Sequence, residues 1–450
     1  MRKFLTIIVS ALFSVYALAA DSRQVGHESL LGTWRGTLNN QASAIDIYFT
    51  FTSTDGTLSA TMTIPAQGVK GLPMDSVSFD GFNLYMKLDA IQMSYRGMQV
   101  MGSFSGSLTQ YGMEFPMALT RGEIPVQRRP QEPQKPYPYR EEQVAFRNES
   151  AGIALAGTLT LPQGNGPFPA VVLISGSGYQ NRNEELMGNK PFLVIADALT
   201  RAGIAVLRYD DRGVGESQGH PYGNTTADLS WDAEAALGYL KSRPEISCAG
   251  LAGHSEGGAI AFIVAAREPS CDFVISLAGP GVRGDKVLLA QQRAILSGSG
   301  IPAPQLEQIT AANKMMFDTI LSSESNDEAL RSKLMQMTGG QEEAVNQLLD
   351  TWMYYFLRYD PTEDIASVKA PILALNGTKD MQVIHSQNIE AIEAAAAKGG
   401  NTCVEGVVFE GLNHLFQHCT TGLPTEYGKI EETIAPEVLE KMIEFIHNTK

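Results

Sequence analysis

The run Ala249-Gly250-Leu251-Ala252-Gly253-His254-Ser255-Glu256-Gly257-Gly258-Ala259 constrains this chain more than any other segment. Residues 249–253 read as a buried strand and residues 257–267 as a helix, so the pentapeptide Gly253-His254-Ser255-Glu256-Gly257 must turn the chain sharply between them. Glycines suit both flanks of such a turn, because a side chain there would collide with neighbouring strands. The turn projects the Ser255 hydroxyl at the helix N-terminus, which makes Ser255 the candidate nucleophile.

Around this turn the pattern alternates. Apolar, β-rich runs at 155–161, 170–174, 204–209, 249–253, 273–277, 372–375 and 404–409 are mostly separated by helical stretches at 191–202, 227–241, 257–267 and 386–397. Unbroken apolar strands between helices predict a mostly parallel sheet with helices on both faces. Residues 282–364 break the rhythm, being rich in Gln, Met, Leu and Glu and readable as several helices without a strand. An insertion on the side where strands end would sit over the ligand crevice as a helical cap; a lateral embellishment is the other reading.

Residues 30–122 have a different texture, with short β-rich runs at 45–51, 58–64 and 84–88 between Gly, Asn, Asp and Pro breaks. They predict an N-terminal all-β domain over 21–122, a small barrel or sandwich. Gly32-Thr33-Trp34-Arg35-Gly36 opens it, and Gly102-Ser103-Phe104-Ser105-Gly106 begins a similar run near its end. Its role is structural, or it grips a carbohydrate or lipid. Pro125, Pro130, Pro133, Pro136 and Pro138 make 123–140 an extended, stiff linker, which leaves 141–450 to the α/β domain. Residues 1–20 read as a signal peptide: Arg2 and Lys3, an apolar stretch over 4–18, then the small residues of Ala17-Leu18-Ala19-Ala20. An exported protein, periplasmic or extracellular, with no membrane span after cleavage, is expected.

At 450 residues and 44% hydrophobic, the chain is long enough for more than one domain and apolar enough for a large core. Its net charge of −15 disfavours nucleic acid or an anionic membrane as a partner. Cysteines stand at 248, 271, 403 and 419, and export permits disulfides. Cys248 and Cys271 lie close to apolar runs read as neighbouring strands, so that pair is plausible; buried thiols are the other reading. No Cys-x-x-Cys occurs, and His414 and His418, four apart, lack completing ligands, so neither a metal nor a cofactor is expected.

A serine hydroxyl needs a base to take its proton and an acid to orient that base. In a fold with this turn the partners follow in the order Ser, acid, His. Downstream of Ser255 stand His385, His414, His418 and His447. His447 lies three residues from the chain end, where solvation is expected, and His385 starts a helix. His414 follows the strand ending near Phe409 across Glu410-Gly411-Leu412-Asn413 and is the chosen base, with His418 as runner-up. Asp380, after the strand and turn Pro371-Ile372-Leu373-Ala374-Leu375-Asn376-Gly377-Thr378-Lys379, is the chosen acid, although capping the next helix is its other reading. Asp360 and Asp364 lack a preceding strand, and Glu410 is too near His414 along the chain. The oxyanion formed on attack needs fixed donors. The backbone N–H of Glu256 is one, and the Gly-rich loop Ser175-Gly176-Ser177-Gly178 supplies the other, with Ser177 first.

Together these residues resemble the α/β-hydrolase superfamily, and within it bacterial secreted carboxylesterases near the serine-aminopeptidase-like branch. The resemblance covers about residues 141–450 and rests on motifs in a fixed order: Ser175-Gly176-Ser177-Gly178, Asp210-Asp211-Arg212-Gly213-Val214-Gly215-Glu216-Ser217, Gly253-His254-Ser255-Glu256-Gly257-Gly258, Asn376-Gly377-Thr378-Lys379-Asp380 and Leu412-Asn413-His414. It implies an α/β-hydrolase fold, and a structural rather than catalytic part for Asp211 and Arg212. A β-module ahead of the hydrolase domain is similar to an architecture of exported bacterial esterases. Many relatives open the oxyanion loop with His where this chain has Ser175, which leaves Ser177 and Gly178 both open as its donor. The expected activity is hydrolysis of small or moderate-size carboxylic esters, borne for example on a carbohydrate or plant phenolic. An aminopeptidase or amidase, with Glu256 and acidic residues of the insertion holding an α-amino group, is the second reading. A catalytically silent protein that grips a glycan or envelope component is the third. Acyl preference and oligomeric state have no signature in the sequence.

Overall fold

The computed structural model describes residues 27–40, 43–125 and 128–449, so the signal peptide expected over 1–20 lies outside the described residues. The chain divides into two units, Met1–Gln127 and Arg128–Lys450.

In the first unit the expected β-rich runs form strands, among them Gly32–Asn40, Ser43–Thr54, Thr57–Ile64 and Asn83–Leu88. They belong to one antiparallel sheet rather than the two layers of a sandwich. The sheet curls until its next-to-last strand on one side, Thr57–Ile64, lies against the edge strand of the other, Ser76–Phe79, and it wraps one core that holds Trp34, Phe49, Tyr95 and Phe104. The Trp34 and Phe104 rings meet edge to face at 4.9 Å. Trp34 Nε1 donates to the Leu30 carbonyl at 2.7 Å, which satisfies its only polar group inside that core.

The proline-rich stretch is shared out between the units at residues 127 and 128. From Arg128 onward it runs along the second unit: Arg129 Nε donates to the Gly188 carbonyl at 2.9 Å, and the Gln131 side chain accepts from the Thr433 N–H at 2.6 Å and donates to the Ile434 carbonyl at 2.6 Å.

Numbering within the second unit, the strands are β1 (Arg140–Asn148), β2 (Ile153–Leu161), β3 (Phe168–Ile174), β4 (Ala205–Tyr209), β5 (Ile246–His254), β6 (Val274–Leu277), β7 (Ile372–Gly377) and β8 (Val404–Phe409). Helix α1 (Pro191–Arg201) joins β3 to β4, α2 (Thr226–Lys241) joins β4 to β5, and α3 (Glu256–Arg267) joins β5 to β6. Between β6 and β7 lie α4 (Gly284–Gly298), α5 (Ala303–Ser322), α6 (Glu328–Met337), α7 (Glu342–Leu348), α8 (Thr351–Arg358) and α9 (Thr362–Ser367). Helix α10 (His385–Lys398) joins β7 to β8, and α11 (Pro424–Tyr427) and α12 (Pro436–Asn448) close the chain.

The sheet order is β1-β2-β4-β3-β5-β6-β7-β8, antiparallel at β1, β2 and β4 and parallel from there on. One face packs against α2, α3, α9 and α10 through residues such as Leu237, Ile260, Ile365 and Ile392. The other packs against α1 and α12 through Phe192, Ile195, Val438 and Met442. Burial on both faces is why β3, β4 and β5 are apolar without alternation. The stretch between β6 and β7 is all helix, and it carries its own small core of Phe317, Ile320, Leu330, Leu334, Val345 and Leu357.

Strand β1 escaped the sequence reading. Its residues Arg140, Glu141, Glu142 and Gln143 are charged or polar because it pairs on one side only, with β2, and charge on an edge discourages further pairing. The Cys248–Cys271 bridge is not made; the buried Cys271 thiol instead donates to the Phe273 carbonyl at 3.3 Å. Among the described residues no helix is long and apolar enough to cross a membrane.

Candidate active site

At the C-terminal end of β5 the chain enters α3 through Ser255, whose φ of 52° and ψ of −121° are strained for a residue with a Cβ. The turn is held from both sides: the Ser255 N–H donates to the Leu277 carbonyl of β6 at 2.8 Å, and the Ser255 carbonyl accepts from the Gly258 N–H at 2.9 Å. Both flanking glycines are sterically required, for different reasons. A Cβ on Gly257 would fall on the Ile174 carbonyl at the end of β3, the expected clash with a neighbouring strand. A Cβ on Gly253 would instead strike the Gly257 carbonyl, so that glycine clears the start of its own helix and not a strand.

His414 and Asp380 meet although 34 residues separate them, with His414 Nδ1 2.9 Å from Asp380 Oδ2 and both side chains buried. The other oxygen, Oδ1, accepts from the Gln382 and Val383 N–H groups at 2.8 and 3.0 Å. Asp380 thus caps its own turn with one oxygen and faces His414 with the other, which merges the two readings of this residue. The two loops are stitched together by the backbone: Lys379 N–H donates to the Leu412 carbonyl at 3.0 Å, and Gly411 N–H to the Thr378 hydroxyl at 2.8 Å. Asn413 braces His414 from inside the loop, its Oδ1 accepting from the Leu415 and Gln417 N–H groups at 2.9 and 3.0 Å.

The remaining downstream histidines lie apart from this pair. His418 is 56% exposed and bonded to Glu432 and Glu437, and His385 opens α10. His447 is half-buried with Nε2 2.9 Å from the Ala202 carbonyl, so it packs on the end of α1 rather than standing in solvent.

The loop after β3 reaches Ser255 at Gly176, where an added Cβ would come within 3.1 Å of Ser255 Cβ. Its conformation is set by two carboxyls. Asp211 accepts from the Ser175 hydroxyl at 2.8 Å and the Gln180 N–H at 2.9 Å, while Glu184 Oε1 accepts from the Gly176 N–H at 2.7 Å. Burial pushes the Asp211 carboxyl up to about 7 despite those donors. Asp210 is also buried, but the guanidinium of Arg182 at 2.6 Å and backbone donors outweigh that and hold it below the usual range. Arg212 pairs with Asp232 of α2 at 2.6 Å. Asp210, Asp211 and Arg212 are thus all engaged in contacts within the fold, and Asp211 pins the loop after β3.

Glu256, first in α3, is buried with its carboxyl engaged: Oε1 accepts from the Thr226 hydroxyl at 2.6 Å and from Trp352 Nε1 of α8 at 2.7 Å, and the Ser177 side chain adds a third hydrogen bond. Burial raises its pKa, and the three donors oppose the rise. Beside this junction α8 lines a cavity of about 640 Å³ with Thr351, Tyr354, Tyr355 and Arg358, completed by Tyr359 and Asp360 just after the helix and by Thr225 and Asn326.

Neither Glu184 nor Trp352 stands out in the sequence, and His254 does so only as a member of the turn before Ser255. His254 Nδ1 lies 2.9 Å from Glu184 Oε1, and Trp352 meets Glu256 from 96 residues away. Such distances along the chain carry no local pattern, so nothing in the sequence marks these pairs. Among the described residues no three His, Cys, Asp or Glu side chains converge as metal ligands.

The serine aminopeptidase S33 family model matches residues 190–418, more than half of the chain and a span that holds Ser255, Asp380 and His414. Esterase EstD of Thermotoga maritima is 28% identical over 294 residues, which are 64% of this chain and 65% of that esterase, so the chain spans just under two thirds of its length. An uncharacterized 31.7 kDa protein of Escherichia coli, from the traX-finO intergenic region, is 25% identical over 264 residues, 56% of this chain and 85% of that protein. Among solved structures, an esterase of Pyrococcus furiosus superimposes with a TM-score of 0.43 at 15% identity over 69% of this chain and 91% of the other.

Proposed function

This chain belongs to the serine aminopeptidase S33 family of α/β-hydrolases, and from that membership we propose that it is a serine hydrolase cleaving small or moderate-size carboxylic esters. The observation that carries the reading is the buried His414–Asp380 pair at 2.9 Å in the same unit as the strained turn at Ser255.

In the mechanism, Ser255 Oγ attacks the ester carbonyl carbon while its proton passes to His414. Asp380 accepts from His414 Nδ1, fixing the tautomer that leaves the other ring nitrogen free to act as base. The oxyanion is received by the N–H of Glu256 and that of Ser177 or Gly178. The C–O bond to the alcohol then breaks, with the proton on His414 going to the leaving oxygen. A water molecule, deprotonated by the same imidazole, hydrolyses the acyl-enzyme and restores Ser255. No step calls on a cofactor.

The helices α4 to α8 act as the cap, a reading supported by the hydrogen bond from Trp352 of α8 to Glu256. The tyrosines of the α8 cavity suit a ring-bearing substrate, since each offers an apolar face and a polar tip. Ester is preferred to aminoacyl amide because the Glu256 carboxyl that would hold an α-amino group already accepts from Thr226, Trp352 and Ser177. The protein works outside the cytoplasm, on the strength of residues 1–20, with the β-domain as its accessory.

Labelling by a fluorophosphonate probe, abolished in Ser255→Ala, tests the nucleophile and rules out a silent scaffold. Comparing one acyl group as ester and as aminoacyl amide tests the substrate class. Equal or faster turnover of the amide would reverse the preference, and full ester turnover by Ser255→Ala would overturn the mechanism.

A further inference from the structure

Beneath Ser255 lies a second histidine–carboxyl pair that the hydrolytic mechanism does not use. His254 Nδ1 is 2.9 Å from Glu184 Oε1, and His254 Nε2 is 2.9 Å from the backbone carbonyl of His414. A carbonyl can only accept, so Nε2 must carry a hydrogen. The attraction and hydrogen bond of Glu184 favour the charged ring, which puts a hydrogen on Nδ1 as well. His254 therefore donates through both nitrogens and is an imidazolium facing a carboxylate.

The pair is enclosed. Pro191, Phe192 and Ile195 of α1, Leu277 of β6, and Leu415 and Phe416 beyond the base surround it with apolar groups. The titratable groups that bear on His254 are Glu184, Asp380 and His414, whose ring centre is 4.8 Å away. Burial acts against the charged ring, and the attraction and hydrogen bond of Glu184 outweigh it, raising the pKa of His254. Glu184 is itself held at a φ of 50°, a conformation unfavourable for a residue with a Cβ.

Three loops meet on these two side chains. Glu184 Oε1 accepts from Gly176 of the oxyanion loop at 2.7 Å, His254 is the residue before Ser255, and its Nε2 hydrogen bonds the backbone of the base itself. We propose that Glu184 and His254 form a charged positioning pair that holds the oxyanion loop, the nucleophile turn and the His414 loop in register. The proposal rests on Ser255 and His414 acting as nucleophile and base.

Glu184→Gln keeps an oxygen for Gly176 but removes the charge. A neutral His254 then has one hydrogen for two acceptors, and one anchor is lost. A displacement of even 1 Å at a distance from the chemistry can cost about 100-fold. Glu184→Gln and His254→Asn are expected to lower kcat on an activated ester by about 10- to 100-fold with KM changed less than about threefold. A loss of foldedness alone would scale both the labelled fraction and the rate, so kcat is referred to active sites titrated with fluorophosphonate.

Nitrogen-15 histidine spectra of the Ser255→Ala protein read the charge without altering the pair. The expected result is two protonated ring nitrogens on His254 at a pH above the ordinary histidine pKa of about 6.5. An unprotonated ring nitrogen on His254 at about pH 7, or wild-type kcat in Glu184→Gln, would overturn the proposal. Because the spectra do not depend on turnover, they judge the pair even if Ser255→Ala retains ester hydrolysis and the mechanism itself falls.

Discussion

The indole N–H of Trp352 donates to Glu256 Oε1 across 2.7 Å, joining α8 to the residue that follows Ser255. The Thr226 hydroxyl shares that oxygen at 2.6 Å, so helix α2, helix α3 and the inserted helices converge on one buried carboxyl. Whatever moves α8 acts on the start of α3, and with it on an N–H assigned to the oxyanion.

Trp352→Phe removes the donor while keeping a ring to stack on Phe356, now 5.0 Å away and nearly parallel. Leaving a buried polar partner unsatisfied costs about 1–3 kcal/mol. The loss should fall on substrates that reach the inserted helices: KM for a bulky ester is expected to rise about 10-fold, with a much smaller change for an acetate ester. Steady-state kinetics on the two esters checks this, and equal effects on both would place α8 away from the substrate.

Asp380 has separable duties, and two substitutions divide them. Asp380→Asn keeps an oxygen for the Gln382 and Val383 N–H groups but offers His414 the wrong partner, and kcat is expected to fall about 10⁴-fold with thermal stability little changed. Asp380→Ala should lose the same activity and also about 1 kcal/mol of stability, the usual cost of an unfilled cap. Thermal melts beside kinetics separate them; equal melting temperatures would mean that the turn does not depend on Oδ1.

The parts legible in the sequence are those whose cause is local. The helix after Ser255 and the strand before it were readable because burial on both faces of the sheet demands unbroken apolar runs. His414 and Asp380 were readable because each follows a strand across a glycine-containing turn. Strand β1 was hidden because edge position, which only the assembled sheet reveals, reverses the apolar pattern. The curl of the N-terminal sheet and the brace of Glu184 on Gly176 and His254 depend on contacts between distant segments. No residue type announces them in advance.

Glycines in the two loops differ in what they tolerate. At Gly257 an added Cβ meets the carbonyls of Ile174 and Ser175, which are fixed at the end of the central strand β3, so Gly257→Ala is expected to cost more than about 4 kcal/mol and to abolish labelling of Ser255. At Gly411 nothing lies within 4 Å, and only its φ of 77° opposes a side chain. Gly411→Ala should cost about 1 kcal/mol. Urea denaturation of both variants measures the contrast, and similar losses would contradict the steric account of the nucleophile turn.

Asp211 links pH to the loop after β3. Burial lifts its carboxyl to about 7, whereas the unfolded chain releases that proton near a pKa of about 3.9. Between about pH 4 and 7 this carboxyl therefore holds more proton in the native protein than in the unfolded chain, and its contribution to stability falls as pH rises through that window, then levels off. The fall attributable to this group is at most about 4 kcal/mol. Asp211→Asn is a neutral isostere of the protonated carboxyl: its oxygen accepts from the Gln180 N–H that Asp211 holds at 2.9 Å, and its N–H faces the Ser175 hydroxyl, which now donates to Asp211 at 2.8 Å and rotates to accept. It does not titrate. The variant is expected to match the wild type near pH 4 and to exceed it in stability at pH 8, measured by urea denaturation at both values. Parallel pH profiles for the two proteins would mean that Asp211 ionises in the fold as it does in the open chain, and that a carboxylate anchors the loop after β3 above about pH 4.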